Sequence, residues 1–169
     1  VRAEGPKPRP RGRGTADDAA ASPGKGMACS TLSRSKPMAK REAIFPAGRQ
    51  ALYEINRYSA AIRSGDLLFV SGQVGSREDG SPEPDFEKQV QLAFDNLTAV
   101  LKAAGATFDD VVDVTSFHTD PSAQWETFFA VRAKAIGEAP YPNWTAVGVN
   151  WLAGFDFEIK VIARLPQST

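Results

Sequence analysis

From Phe86 to Gly105 the apolar residues Phe86, Val90, Ala93, Leu97, Val100, Leu101 and Ala104 recur with the spacing of one helix face. Asp85 stands where an N-cap belongs, and Gly105 where a helix ends. One other segment reads the same way. Asp120 and Pro121 open it as N-cap and first helical residue, Trp125, Phe128, Phe129 and Ile136 form its apolar side, and Gly137 closes it. Around these two helices lie strand-like runs: "RYSAAI", "DLLFVSGQVG", "VVDVTSFHT", "WTAVGVNW" and "DFEIKVIARL". The order is β-β-α-β-α-β-β. Two helices cannot cover both faces of such a sheet, so the pattern predicts an α+β fold with both helices on one face.

Alternation with period two then sorts the last two strands. Phe157, Ile159, Val161 and Ala163 read as helix-facing core, with Val147, Val149 and Trp151 on the neighbouring strand. The other face takes Asp156, Glu158, Lys160, Ile162 and Arg164, with Trp144, Ala146, Gly148 and Asn150 beside them. That mixed face has no helix to cover it and predicts a subunit interface, with Glu158 and Trp144 close to each other near it.

Charge and cysteine content exclude several classes. Residues 1–37 carry eight basic and three acidic residues, and 38–169 carry twelve basic and seventeen acidic. An acidic globular part is a poor binder of phosphate backbones, which argues against nucleic acid as a partner. The single cysteine, Cys29, permits no intramolecular disulfide and no Cys-rich metal site, and fits a reducing compartment, the cytoplasm. No apolar run approaches the roughly 20 residues of a membrane helix, and the basic N-terminal stretch lacks the apolar core of a secretory signal. Residues 1–37, rich in Pro, Gly, Arg and Ser, cannot bury enough surface to offset their ordering entropy. They read as a disordered or non-native extension ahead of a domain spanning 38–169. A nucleic-acid-binding or targeting arm is the other reading of that stretch.

The runs "YSAAI", "GDLLFVSGQVG", "FDNLTAVLKAAG", "DVVDVTSFHTD" and "FEIKVIA" resemble the RidA/YjgF family, also called L-PSP endoribonuclease-like. The likeness spans Met38 to Pro166 and is nearest to the YjgH-type branch, of which "RYSAAIRSGDLLFVSGQVGSREDG" and "PYPNWTAVGV" are typical. It implies a chorismate-mutase-like α+β fold with a mixed sheet, a barrel-like homotrimer with clefts between subunits, and no cofactor. It also implies hydrolysis of small reactive enamine or imine metabolites to a 2-oxo acid and ammonia. Carried over by position, the cleft Tyr is Tyr58 and the water-positioning Glu is Glu158, the expected catalytic residue. The Arg that clamps the substrate carboxylate is replaced by Trp144, and a frequent Cys by Ala146, so Tyr58, Trp144 and Ala146 are the expected substrate contacts.

A carboxylate can orient water and favour the iminium, which suits Glu158. Its other reading is a structural carboxylate at the interface. Trp has one N–H donor and no charge, so Trp144 cannot replace a bidentate clamp. Either it stacks on a ligand or it is interface core. Arg57 or Arg63 is the alternative cation. His118, the only histidine, and Asn150 are further candidates for the cleft, although a lone His is more often structural. No ligand cluster for a metal is visible. Ser71 has no motif-level base to make it a nucleophile, and "SGQVG" lacks the following helix that a phosphate cradle needs. The ribonuclease label finds no His pair and no basic groove. Loss of the clamp leaves a non-catalytic metabolite-binding or chaperone-like trimer as the rival function.

A chain beginning at Met38 is expected to keep the thermal midpoint and oligomeric mass of the full chain. A large loss of either in calorimetry or sedimentation would show that residues 1–37 pack.

Overall fold

The computed structural model describes residues 41–166. The expectation for 1–37 lies outside the described residues. The elements are β1 (Glu42–Ile44), α1 (Gln50–Ile55), β2 (Ala61–Ser64), β3 (Leu67–Val70), β4 (Gln73–Val74), α2 (Phe86–Ala103), β5 (Val111–His118), α3 (Pro121–Ala135), β6 (Asn143–Gly148) and β7 (Phe157–Arg164), with a short 3-10 turn before β5. Among the described residues these strands make one mixed sheet in the order β1-β2-β3-β7-β5-β6, with β4 also paired to β7. All pairs are antiparallel except β5 with β6, and α3 makes the crossover that a parallel pair requires.

The helix termini follow from their sequence. The Asp85 carboxylate accepts the Lys88 backbone N–H at 3.0 Å and opens α2. At the other end Gly105 has φ +75°, while the N–H groups of Gly105 and Ala106 donate to the carbonyls of Lys102 and Leu101. That is the Schellman arrangement, and its left-handed residue favours glycine. The Asp120 carboxylate accepts from Ala123 N–H at 3.2 Å, with Pro121 as first residue of α3.

Val90, Ala93, Phe94, Leu97, Val100 and Leu101 of α2 are buried, as are Phe157, Ile159, Val161 and Ala163 of β7. Phe157 meets both helices, stacking on Phe94 at 6.2 Å and tilting against Phe128 of α3 at 5.4 Å. Both helices thus cover one face, and β7 alternates as its period-two reading requires.

The expected faces of β6 are corrected. β6 pairs with β5 in the register Val114↔Trp144, Ser116↔Ala146 and His118↔Gly148, and Val114, Ser116 and His118 are buried on the helix side. Trp144, Ala146 and Gly148 therefore share the helix-side face, and Trp151 is 74% exposed rather than core. Period two separates two sets of residues but not which set meets the helices. Gly148 suits its inward position at the start of α3, where a Cβ would lie 3.1 Å from Pro121 Cγ.

Two elements had no counterpart in the sequence reading, β1 and α1. Six residues of α1 are too few for periodicity to register, and it bonds no N-cap side chain. Tertiary contact holds it: buried Tyr53 donates its hydroxyl to Gln73 Oε1 at 3.0 Å. The strand read as 66–75 breaks at Ser71-Gly72 into β3 and β4.

Gln89, buried on α2, ties the helix to the start of β7. Its Oε1 accepts from the N–H groups of Asp156 (2.7 Å) and Phe157 (3.2 Å), and its amide donates to the Glu83 carbonyl at 2.7 Å. Gln89→Leu leaves those backbone groups unpaired and is expected to cost about 2–3 kcal/mol in chemical denaturation. A loss within about 0.5 kcal/mol would show that water replaces the amide.

Candidate active site

On the helix-free face, Glu158 of β7 lies opposite Phe117 of β5 and Val74 of β4. Its carboxylate sits over Gly72, where a Cβ would overlap Glu158 Oε1, Cδ and Cγ. Only the absence of a side chain at 72 leaves room for the carboxyl. Tyr58, Gly72, Val74, Trp151, Leu152, Ala153, Phe155 and Glu158 line a hollow of about 270 Å3. A second hollow of about 390 Å3 shares Tyr58 and is lined by Arg41, Ala43, Arg57, Ser59 and Ile62.

Each wall has a local cause. The segment Leu152 to Phe155 is a tight turn closed by Phe155 N–H to Leu152 C=O at 3.0 Å, with Ala153 and Gly154 both left-handed at φ +53° and +93°. Paired positive φ values are those of a type I′ turn, and Ala153 pays for its place there in strain, about 1–2 kcal/mol. Across the hollow, the Gln73 amide donates to the carbonyls of Ser71 (2.9 Å) and Gly72 (3.3 Å) while accepting from Tyr53. Ser71 donates its hydroxyl to the Ser59 carbonyl at 2.7 Å, which makes it structural and not a nucleophile. Tyr53 also supports Tyr58, edge-on at 5.2 Å and through Tyr58 N–H to Tyr53 C=O at 3.2 Å.

Burial pushes the Glu158 carboxyl above the usual carboxylate range, opposed in smaller measure by Lys160. Among the described residues no hydrogen bond acts on the carboxyl. Burial, and then the Glu158 charge, raise the Tyr58 phenol, with Arg49 opposing. Tyr58 is therefore a neutral hydroxyl beside a carboxyl whose proton is held more tightly than usual. Such a pair can donate to a substrate nitrogen or accept a proton from water.

Of the candidates, Glu158 and Tyr58 line one hollow. The others do not, within the chain. Trp144 is on the opposite face from Glu158. Val114 is its register partner and Phe117 that of Glu158, and residues three apart on one strand point oppositely. Its indole donates to Ser116 Oγ at 3.0 Å, its ring packs on Phe128 at 5.8 Å, and the Arg132 guanidinium lies 4.0 Å above it. Ala146 is exposed on β6, the edge strand, and shares Trp144's face. Asn150 is exposed in the loop after β6 and does not line the Glu158 hollow. His118 is fully buried, edge-on to Phe128 at 4.8 Å, with Nε2 on Ser116 Oγ at 3.0 Å and Nδ1 without a partner among the described residues. It is a core histidine and not a cleft residue.

Gly72, Val74 and the Trp151–Phe155 turn were missed. "SGQ" and "WLAGF" were visible, but their meeting depends on the β4–β7 pairing. Among the described residues no group of three His, Cys, Asp or Glu side chains could hold a metal. No described helix is long and apolar enough to cross a membrane.

The mixed sheet with helices on one face accords with what the comparisons find. Residues 48–165 match the family described as Endoribonuclease L-PSP, so the chain belongs to that family, the RidA/YjgF family. Within it the chain is 72% identical over 130 residues to the RutC family protein YjgH of Escherichia coli K12, covering 77% of this chain and 99% of that one. A solved structure of protein YjgH is similar at TM-score 0.74 and 71% identity, covering 77% and 100%. A 2-iminobutanoate/2-iminopropanoate deaminase of Dermatophagoides farinae is 32% identical over 99 residues, 56% of this chain and 74% of that one.

Two opposed pH effects follow from burial. His118 is held below its ordinary range by desolvation, so stability falls as pH drops through about 6.5, where the unfolded chain takes a proton that the core refuses. Glu158 acts oppositely. Its raised carboxyl makes the folded state lose stability as pH rises from the ordinary carboxylate range through its folded value. His118→Asn is expected to flatten the fall of thermal midpoint below about pH 6.5. Glu158→Gln is expected to raise the midpoint at pH 7 and to change it little below about pH 4. Unchanged profiles in both variants would mean that neither group is desolvated as described.

Proposed function

We propose that this protein is a hydrolytic deaminase of small reactive enamine or imine metabolites, acting at the Glu158 hollow. The observation that carries this reading is the desolvated Glu158 carboxyl, over a glycine, beside Tyr58 and with no hydrogen-bond partner among the described residues. Family membership and a deaminase among the relatives support it. An imine is already electrophilic, so the protein has only to hold it, favour its protonated form and deliver water. In the proposed cycle Glu158 takes a proton from water as the oxygen bonds to the imine carbon. It returns that proton to the nitrogen, and as the C–N bond breaks it takes the proton left on the carbinol oxygen. The protonated imine and water thus become a carbonyl product, ammonia and one proton, which Glu158 releases to solvent. Tyr58 orients the substrate.

The hollow opens on the face that no helix covers, which also exposes Phe69 and Tyr58. We infer that copies of the chain associate there as a homotrimer that completes the cleft. Among the described residues that line the Glu158 hollow there is no Arg or Lys to pair with a substrate carboxylate, so this protein should act comparatively well on imines that lack one.

Hydrolysis of 2-iminobutanoate, generated in situ by an amino-acid oxidase, and of a carboxylate-free imine tests the proposal. The protein is expected to accelerate both, the second preferentially. Glu158→Gln should lower kcat/KM about 10²- to 10⁴-fold, the range of general acid–base catalysis. Gly72→Ala should do nearly the same by displacing the carboxyl. No acceleration by the unsubstituted protein would favour the non-catalytic binding reading.

A further inference from the structure

Arg132, in the last turn of α3, is half-buried between two aromatic rings, 4.0 Å from the Trp144 ring centre and 5.1 Å from that of Phe129. Cation–π contact fixes the plane of a guanidinium but leaves its N–H groups to find acceptors. Among the described residues no carboxylate lies within ion-pairing distance of it. Burial weighs on its charge without any acidic neighbour to compensate. Trp144 is itself held in place by its bond to Ser116, so the platform under the guanidinium is rigid. Beside it is a hollow of about 280 Å3 lined by Phe129, Arg132, Ala133, Ile136, Gly137 and Tyr141.

We propose that this hollow is a binding site for a small organic carboxylate with an apolar body, the carboxylate paired with Arg132 and the body lying against Phe129, Ile136 and Tyr141. A held guanidinium with a free edge presents the fork that matches a carboxylate. The apolar lining selects against simple inorganic anions, and a volume of about 280 Å3 suits one ring-sized body and not a helix or strand. Within the chain the site lies on the helix side of the sheet, away from Glu158, and it stands independently of the proposed hydrolysis.

The test is calorimetric titration of the full chain with benzoate and with benzamide at fixed ionic strength, with the indole N–H signals followed by NMR. Benzoate is expected to bind saturably and at least about tenfold more tightly than benzamide, and to shift the Trp144 signal. Arg132→Gln should abolish that preference. Arg132→Lys, which keeps the charge without the fork, should retain only part of it. Equal binding of the two probes, no binding of benzoate to the unsubstituted protein, or benzoate binding that survives Arg132→Gln would overturn the proposal. The comparison on the unsubstituted protein decides even if a variant fails to fold.

Discussion

The parallel pairing of β5 with β6, spanned by α3, is the constraint on which the rest of this structure depends. It fixes Val114 beside Trp144 and, through β7, Phe117 beside Glu158. A one-residue slip would exchange the faces of β6 and send Trp144 to the open side. As built, Trp144 and His118 belong to an aromatic layer under the helices, linked through Ser116 Oγ, which lies 3.0 Å from both the indole nitrogen and the imidazole Nε2. The sheet separates that layer from the carboxyl on its other side.

The Glu158 hollow depends on small departures from regular structure. β3 and β4 would be one strand but for Ser71-Gly72, and that break brings Gly72 beneath the carboxyl. Gln73 and Ser71 use their side chains to satisfy backbone groups freed there. The left-handed Ala153-Gly154 pair closes the opposite wall. Strain of this kind persists only where surrounding structure enforces it, and Ala153 stores it here beside a desolvated acid of the open face.

Much of this was legible from the chain. The α2 stripe, both N-caps and the Gly105 terminus could be read because helix periodicity and capping are local. The alternation of β7 could be read because α2 and α3 cover one of its faces almost completely. Glu158 and Tyr58 are singled out by family resemblance, not by spacing. What was misread depends on tertiary register. Trp144 falls on the helix side and Trp151 outside the core because period two and apolar character do not tell which set faces inward, and because β6 ends before Trp151, at Gly148, where Pro121 leaves little room for a side chain. α1 was missed because one buried Tyr53 and its bond to Gln73 hold it, rather than any periodicity of its own.

The central claim is that Glu158 is a desolvated acid on the open face, apart from the aromatic layer that contains Trp144. Its most direct test is a carbon-13 NMR titration of the Glu158 side-chain carboxyl in the folded protein, assigned with Glu158→Gln. The account predicts a midpoint above the ordinary glutamate value of about 4.3, lowered back toward that value when Gly72→Ala pushes the carboxyl into water. A midpoint at or below the ordinary value, unmoved by Gly72→Ala, would contradict it.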